Sequence, residues 1–335
     1  MSPATAQSGT RQSDADAVVV DALVKRFGPI VALDGMSFSV RAGELFGFIG
    51  PDGGGKTTLF RILTTLLVPG SGTARVLGQD VVKDLWRLRQ RIGYMPGRFS
   101  LYPDLSIEEN LRFFASVFGT TVEREYSQIA PIYSQIEAFK DRRAAALSGG
   151  MKQKLALCCA LVHRPEILFL DEPTTGVDAV SRREFWDLLD RLKATGLTIV
   201  VSTPYMDEAT RCDRVALVQR GRLLALDTPR AITQSFDRPL LGIRANDRYR
   251  ALLAIRDYPQ THTIYPFGDV LHFTDKRQRA APEQIARDVT AFLESRGFHD
   301  IRAGAIPATI EDSFMASMGA PEDNQQAPFR STGAA

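Results

Sequence analysis

A glycine-dense loop between an apolar strand and a helix constrains this chain more than any other feature. Gly50-Pro51-Asp52-Gly53-Gly54-Gly55-Lys56-Thr57 follows a short strand candidate over 44–49 and opens a helical pattern over 57–66. Glycines let successive backbone N–H groups close around phosphate oxygens, and the helix that follows turns its positive end to the same anion. In such a loop Lys56 is placed to reach the β- and γ-phosphates, and the Thr57 hydroxyl to ligate Mg²⁺. The competing reading is a chance glycine turn, which needs neither the strand before it nor the helix after it.

The rest of the chain is read around that loop. Strands are expected at 18–24, 37–40 and 44–49, and helices at 107–118, 121–139, 148–162 and 181–195. The all-apolar run 167–170 fits a strand buried on both faces, 197–202 fits another buried strand, and Arg220-Gly221 joins a hairpin of 215–219 and 222–226. Beyond residue 237 the texture changes. Strand candidates at 240–244, 262–266, 270–273 and 301–305 alternate with helices at 248–256 and 282–296, which is the β-α-β-β-α-β order of a ferredoxin-like domain. The expected fold is α/β: a P-loop core with a helical insertion, which the resemblance given below makes an ATPase, plus a small ferredoxin-like α+β C-terminal domain. The expected divisions are a disordered arm at 1–16, a nucleotide-binding domain at 17–237 with its helical subdomain about 98–160, an accessory domain at 238–318 and a disordered tail at 319–335.

Composition narrows the function. The 335 residues carry a net charge of +2, without the basic excess of a nucleic-acid binder, so no nucleic-acid partner is expected. The most apolar runs are far shorter than the ~20 residues of a membrane-spanning helix. The first 17 residues lack the apolar centre of a signal peptide, so a cytosolic location is expected. Cys158, Cys159 and Cys212 give neither a disulfide framework nor metal-ligand spacing, and the adjacent pair reads as buried helix packing.

A second group of residues says which kind of nucleotide protein this is. Leu147-Ser148-Gly149-Gly150-Met151-Lys152-Gln153 opens a helix, and Ile167-Leu168-Phe169-Leu170-Asp171-Glu172 leads into Pro173-Thr174-Thr175-Gly176-Val177-Asp178. Over roughly 18–237 the chain resembles the ATP-binding subunit of ABC transporters. The resemblance implies two such domains paired head to tail, with ATP held between the glycine loop of one and the Ser148-Gly149-Gly150-Met151 segment of the other. It implies ATP contacts at Phe27, Gly50, Asp52, Gly53, Gly54, Gly55, Lys56, Thr57 and Thr58, with Phe27 stacked on adenine. It implies Mg²⁺ at Thr57 and Asp171, Glu172 as the base that activates water, and Asp178 in the loop coupling the two sites. Phe27 as a plain core residue and Glu172 as a structural carboxylate are the blander readings.

Two positions depart from that family's pattern. Gly97 stands where a Gln usually contacts Mg²⁺ and the attacking water, and Pro204 stands where a His usually contacts the γ-phosphate. Glycine has no side chain to offer, and proline lacks both a side-chain donor and a backbone N–H. Each lost contact to a transition state can cost on the order of 10²–10³ in rate. A slow ATPase that keeps tight binding is expected, with Arg98, Thr203 or Tyr205 as candidate substitutes. A non-hydrolysing, nucleotide-gated subunit beside a partner ATPase is the alternative. Restoring Gln at 97 together with His at 204 is expected to raise turnover.

The resemblance also implies partners: a transmembrane permease subunit and a second ATP-binding subunit, as homo- or heterodimer, on the cytoplasmic side of the inner membrane. Residues 98–111 lie where such subunits meet a permease, with Tyr102, Glu108 and Glu109 suited to a docking groove, while Ser106 and Glu109 also have capping-box spacing. Residues 204–209 and 307–315 look like bacterial exporters of the ABC-2 type, including multidrug efflux systems. A DNA-repair ATPase would need a long coiled coil or zinc cysteines between the motifs, and only about 50 residues separate Gly97 from Ser148. A ribosome-associated factor usually carries two ATPase units, and this chain has one set of motifs.

Overall fold

The computed structural model describes residues 16–97 and 101–318. The disordered arm and tail expected from the sequence lie outside the described residues, except that Asp16 already begins the first strand, and Arg98 lies outside them as well. The chain divides into two compact units, Met1–Pro229 and Arg230–Ala335.

In the first unit, β1 (Asp16–Phe27), β2 (Ile30–Arg41), β3 (Leu45–Ile49), α1 (Lys56–Leu63), β4 (Ser71–Val76), β5 (Gln79–Asp80), α2 (Leu85–Arg89) and β6 (Ile92–Met95) come first. The helical insertion follows as α3 (Ile107–Val117), α4 (Val122–Tyr133) and α5 (Gly149–Leu161). Then come β7 (Ile167–Asp171), α6 (Ala179–Ala194), β8 (Thr198–Thr203), β9 (Arg214–Gln219) and β10 (Arg222–Asp227), and α7 (Pro229–Gln234) begins at the division and lies otherwise in the second unit. The central sheet has six strands in the order β10-β9-β3-β8-β7-β6, and β3 runs parallel to β8 and β9. Every residue of β3, β7 and β8 is buried, as expected of strands covered on both faces, and the buried set includes the polar Asp171, Thr198, Ser202 and Thr203. A second, antiparallel sheet orders β2-β1-β4-β5.

Phenylalanines join the two sheets. Phe38 on β2 meets Phe48 on β3 with ring centroids 4.9 Å apart, and Phe60 on α1 bridges Phe48 and Phe169 at 5.9 Å each, all edge-on. Edge-to-face pairs add roughly 0.5–1.5 kcal/mol each beyond area burial. Through Phe60 this core holds the helix that leaves the phosphate loop.

Some expected elements differ. The helix expected over 121–139 ends at Tyr133, and a separate 3₁₀ turn covers Glu137–Phe139. β4 and α2 carry no strong period and were not expected. The C-terminal unit begins eight residues ahead of the expected boundary, because buried Ile232 of α7 accepts a hydrogen bond from Ser313 Oγ at 3.2 Å and so belongs to that unit.

The second unit contains β11 (Leu240–Arg244), α8 (Arg248–Arg256), β12 (Thr261–Phe267), β13 (Val270–Asp275), α9 (Pro282–Ser295), β14 (Arg302–Ala305) and α10 (Ile310–Met318). Its sheet runs β12-β13-β11-β14, all antiparallel, the ferredoxin-like arrangement of a β-α-β-β-α-β chain. Leu241, Ile243, Leu271 and Phe273 on one face pack with Ile255 of α8 and Ile285, Val289 and Leu293 of α9. On α10, Asp312 takes His272 of β13 at 2.7 Å and is itself capped by Thr309.

Candidate functional site

Close backbone approach explains the glycine loop. A Cβ at Gly50 would sit 2.0 Å from the Val218 carbonyl, and one at Gly55 2.4 Å from the Ala32 carbonyl, with Gly55 at φ 97°. Gly55 caps α1 without any side-chain hydrogen bond, and no acidic residue occupies the first turn. The first N–H groups of α1 therefore face outward with the positive end of the helix, which suits an anion.

A cleft of about 420 Å³ opens over that loop, lined by Phe27, Ile30, Val31, Ala32, Asp52, Gly53, Gly54, Gly55, Lys56, Thr57, Thr58 and Glu172. Phe27 ends β1 and is 48% exposed, so it is a cleft wall rather than core packing. Gly50 lies behind the wall, where its carbonyl accepts from Lys56 Nζ at 2.7 Å. Lys56 Nζ also donates to the Pro51 carbonyl at 3.0 Å and pairs with Glu172 Oε1 at 3.2 Å.

The carboxylates are delivered by β7. Thr57 Oγ1 donates to Asp171 Oδ1 at 3.2 Å, which joins α1 to β7. Glu172 follows directly in the left-handed region at φ 51°. A non-glycine residue there costs of order 1–3 kcal/mol and persists only where its surroundings hold it. Its N–H donates to the Ser202 carbonyl at 3.0 Å and to Ser202 Oγ at 3.1 Å. Sequence reasoning did not single out Ser202; the only signal for it is cross-strand register, which no local pattern carries.

A hydroxyl and a carboxylate 3.2 Å apart are hard oxygen donors of the kind Mg²⁺ takes when phosphate oxygens and water complete its shell. No cluster of three or more His, Cys, Asp or Glu suited to a metal occurs among the described residues. The donors fit a metal brought in with a nucleotide better than one caged by protein.

Ser148, Gly149, Gly150 and Met151 do not line this cleft. Ser148 caps α5, its Oγ accepting from Met151 N at 3.4 Å, and no acidic residue occupies the first turn, so this segment forms a second helix N-terminus without a neutralising charge. Gly150 is closely packed there, where a Cβ would meet Ser181 Oγ at 2.7 Å and displace that side chain. Asp178 is the cap of α6, accepting from Val180 N at 3.1 Å and Ser181 N at 2.9 Å. These backbone bonds, Ser181 first, hold its carboxyl below the usual range. The helix expected from 181 thus starts two residues earlier, at Ala179.

The two departures have different surroundings. A Cβ at Gly97 would lie 2.9 Å from the Asp171 carbonyl oxygen and 3.7 Å from Glu172 Cβ, so the backbone itself occupies the space a side chain needs. Beside Pro204, Thr203 Oγ1 donates to Glu208 Oε2 at 2.5 Å and accepts from Tyr205 N at 3.1 Å. The Tyr205 ring lies under the Arg182 guanidinium at 4.1 Å. The Thr203 hydroxyl and the face of the Tyr205 ring are thus engaged with other protein groups.

An apolar groove of about 480 Å³ lies between the sheet and the helical insertion, with Trp86, Ile92, Tyr94, Phe114, Val117, Phe118, Cys159 and His163 among its walls. Trp86 is 75% exposed at its rim. Tyr102, half-exposed, packs edge-on against Phe113 at 4.7 Å. Glu109 is consumed by the capping box with Ser106, and Glu108 pairs with Arg112 at 2.8 Å.

Known proteins share this arrangement. The family model described as ABC transporter matches residues 33–175. The chain is 48% identical over 212 residues to the probable multidrug ABC transporter ATP-binding protein YbhF of Escherichia coli, covering 62% of this chain and 36% of that protein. It thus spans little more than a third of the length of that relative. It is 33% identical over 307 residues to the Nod factor export ATP-binding protein I of Ralstonia nicotianae, covering 90% of this chain and 93% of that protein. Among solved structures, cbiO1 from Clostridium perfringens, part of an ABC transporter complex, superposes with a TM-score of 0.60 at 26% identity, covering 66% of this chain and 91% of that one. The dimeric cassette MJ0796 bound to ADP and Pi matches with a TM-score of 0.57 at 25% identity, covering 63% and 98%. With the glycine loop, the Asp171–Glu172 strand end and the α5 cap in one fold, this chain belongs to the family of ABC transporter ATP-binding proteins.

Proposed function

We propose that this chain binds and hydrolyses ATP to drive export through a separate membrane permease of the ABC-2 type. The observation that carries the reading is the single cleft that gathers Phe27, the glycine loop and Glu172. In it, Phe27 stacks on the adenine, and the N–H groups of the loop and of the first turn of α1 take the phosphates. Lys56 exchanges a protein acceptor for the terminal phosphates. Thr57 and Asp171 hold Mg²⁺, which when bound neutralises phosphate charge. Glu172 accepts a proton from the attacking water.

A second subunit supplies the other half. The α5 N-terminus capped by Ser148 faces the γ-phosphate in the partner's cleft, and Asp178, at the start of α6, lies in the loop joining the two sites. That Ser148–Met151 lie outside the chain's own cleft supports a site shared between two subunits. The dimeric cassette MJ0796 bound to ADP and Pi supports the same reading. The pair is a homodimer or a heterodimer.

Turnover is slow, because Gly97 and Pro204 offer neither of the two side-chain contacts usual in this family. A nucleotide-gated regulatory subunit beside a more active ATPase is the second reading, and Pro204 favours it. Export is supported by the names of the relatives, a multidrug transporter protein and a Nod factor exporter. The apolar groove rimmed by Trp86 suits a short amphipathic segment of the permease. Among the described residues no helix is long and apolar enough to cross a membrane, so the spanning part belongs to a partner in this reading. The chain acts at the cytoplasmic face of the inner membrane.

The test is ATP turnover by purified protein beside Glu172→Gln, with and without the permease that co-purifies from membranes. Hydrolysis lost in Glu172→Gln and stimulated by the permease supports the reading. Turnover indifferent to Glu172 overturns it.

A further inference from the structure

We infer that Ser202 is a positioning residue that sets the geometry of both site carboxylates; the inference rests on the ATPase reading of this cleft. Ser202 is completely buried on β8, directly opposite Asp171 in the parallel β7–β8 register. A hydroxyl has one proton to give and lone pairs to receive. Ser202 Oγ gives its proton to Asp171 Oδ1 at 2.6 Å and receives the N–H of Glu172 at 3.1 Å. One oxygen thus grips two consecutive residues with opposite polarity.

The two grips do different things. The bond to Asp171 fixes the rotation of the carboxylate that Thr57 also touches, at 3.2 Å on the same oxygen. It thereby sets which carboxylate oxygen is left to face the cleft. The bond from Glu172 N–H helps hold that residue at φ 51°, the turn that swings its side chain out of the β7 line toward Lys56. The Ser202 carbonyl also accepts from Glu172 N, so removing the hydroxyl leaves the backbone link in place. The hydroxyl is therefore a separable element, and its partners are the groups whose orientation matters for metal-nucleotide binding and for the base. Outer partners of this kind are worth on the order of 10–100-fold in metal affinity or activity.

The test uses the full chain and four proteins: wild type, Ser202→Ala, and the equal-sized pair Ser202→Thr and Ser202→Val, which differ only in the hydroxyl. Three quantities are read: ATP affinity in EDTA, the Mg²⁺ concentration that half-saturates ATP binding, and kcat with KM. In Ser202→Ala and Ser202→Val, the half-saturating Mg²⁺ rises and kcat falls by roughly 10-fold or more, while ATP affinity in EDTA stays within about two-fold. Ser202→Thr returns both toward wild type. The amide chemical shift of Glu172 moves in Ala and Val but stays near wild type in Thr, a readout that needs neither metal nor turnover. If Ser202→Ala fails to fold, the Thr–Val difference decides. Unchanged Mg²⁺ dependence and kcat in Ala and Val, or equal behaviour of Thr and Val, overturns the role of Ser202 alone. Wild-type protein that shows no Mg²⁺-dependent ATP binding overturns the site reading and this inference together.

Discussion

Lys56 Nζ stands 3.2 Å from Glu172 Oε1 and completes its hydrogen bonding on the carbonyls of Gly50 and Pro51, at 2.7 and 3.0 Å. An ammonium has three donors, and all three here rest on protein. Terminal phosphates must take one of them over, and the same exchange frees Glu172. Glu172→Gln is therefore expected to bind ATP at least as tightly as wild type while losing turnover by about 10²–10⁴-fold. Lys56→Ala is expected to lose binding itself. Equilibrium binding beside single-turnover hydrolysis separates the two, and an Ala variant that binds normally would remove Lys56 from the phosphate site.

The two family departures differ in how reversible they are. Position 204 is partly exposed at a strand end, so Pro204→His can present a donor without moving the core. It is expected to raise turnover, by up to on the order of 10²-fold if the imidazole reaches the phosphate. Gly97→Gln gives no gain by itself, because its Cβ would sit 2.9 Å from the Asp171 carbonyl and push on the strand end that carries both carboxylates. The double restoration expected from sequence thus rests on its second half. A Gly97→Gln rate above that of Pro204→His would refute this ordering.

At the groove, Trp86→Glu places a charge on an apolar rim where the indole is three-quarters exposed and stabilises little of the fold. Exposed aromatics at interfaces carry up to about 2–4 kcal/mol of binding when truncated. Permease co-purification is expected to fall, while ATP binding by the isolated subunit holds. Loss of ATP binding, or full retention of the permease, would argue against the groove as the docking surface.

Stability should depend on His163. Burial pushes its imidazole below the ordinary value, opposed by the Ile92 carbonyl, which accepts at 3.0 Å, and the ring stacks on Phe118 at 3.7 Å. The folded form holds the ring neutral where the unfolded chain protonates it. Above the unfolded value this group costs nothing, and as pH falls through that value the unfolded state gains protons first, so stability declines. The thermal midpoint should drop between about pH 7.5 and 5.5 in wild type and drop less in His163→Gln. Equal slopes would show that other groups carry the acid sensitivity.

What the chain states by itself is local. The glycine loop, the Ser148 segment and the Asp171-Glu172 strand end are contiguous strings whose chemistry depends on neighbours in sequence, and the β-α-β-β-α-β order shows as alternating periods. Even the Ser106 capping box is legible, because its partners lie three residues apart. What only the tertiary structure decided are relations between strands that burial and register bring together. Ser202 opposite Asp171, Glu172 turned toward Lys56, and the backbone crowding Gly97 each depend on residues tens of positions apart. Fully buried parallel strands read as uniform apolar runs, so their sequences carry little mark of which residue will face which. That choice belongs to packing on both faces of the sheet, and packing placed a buried serine beneath the two carboxylates.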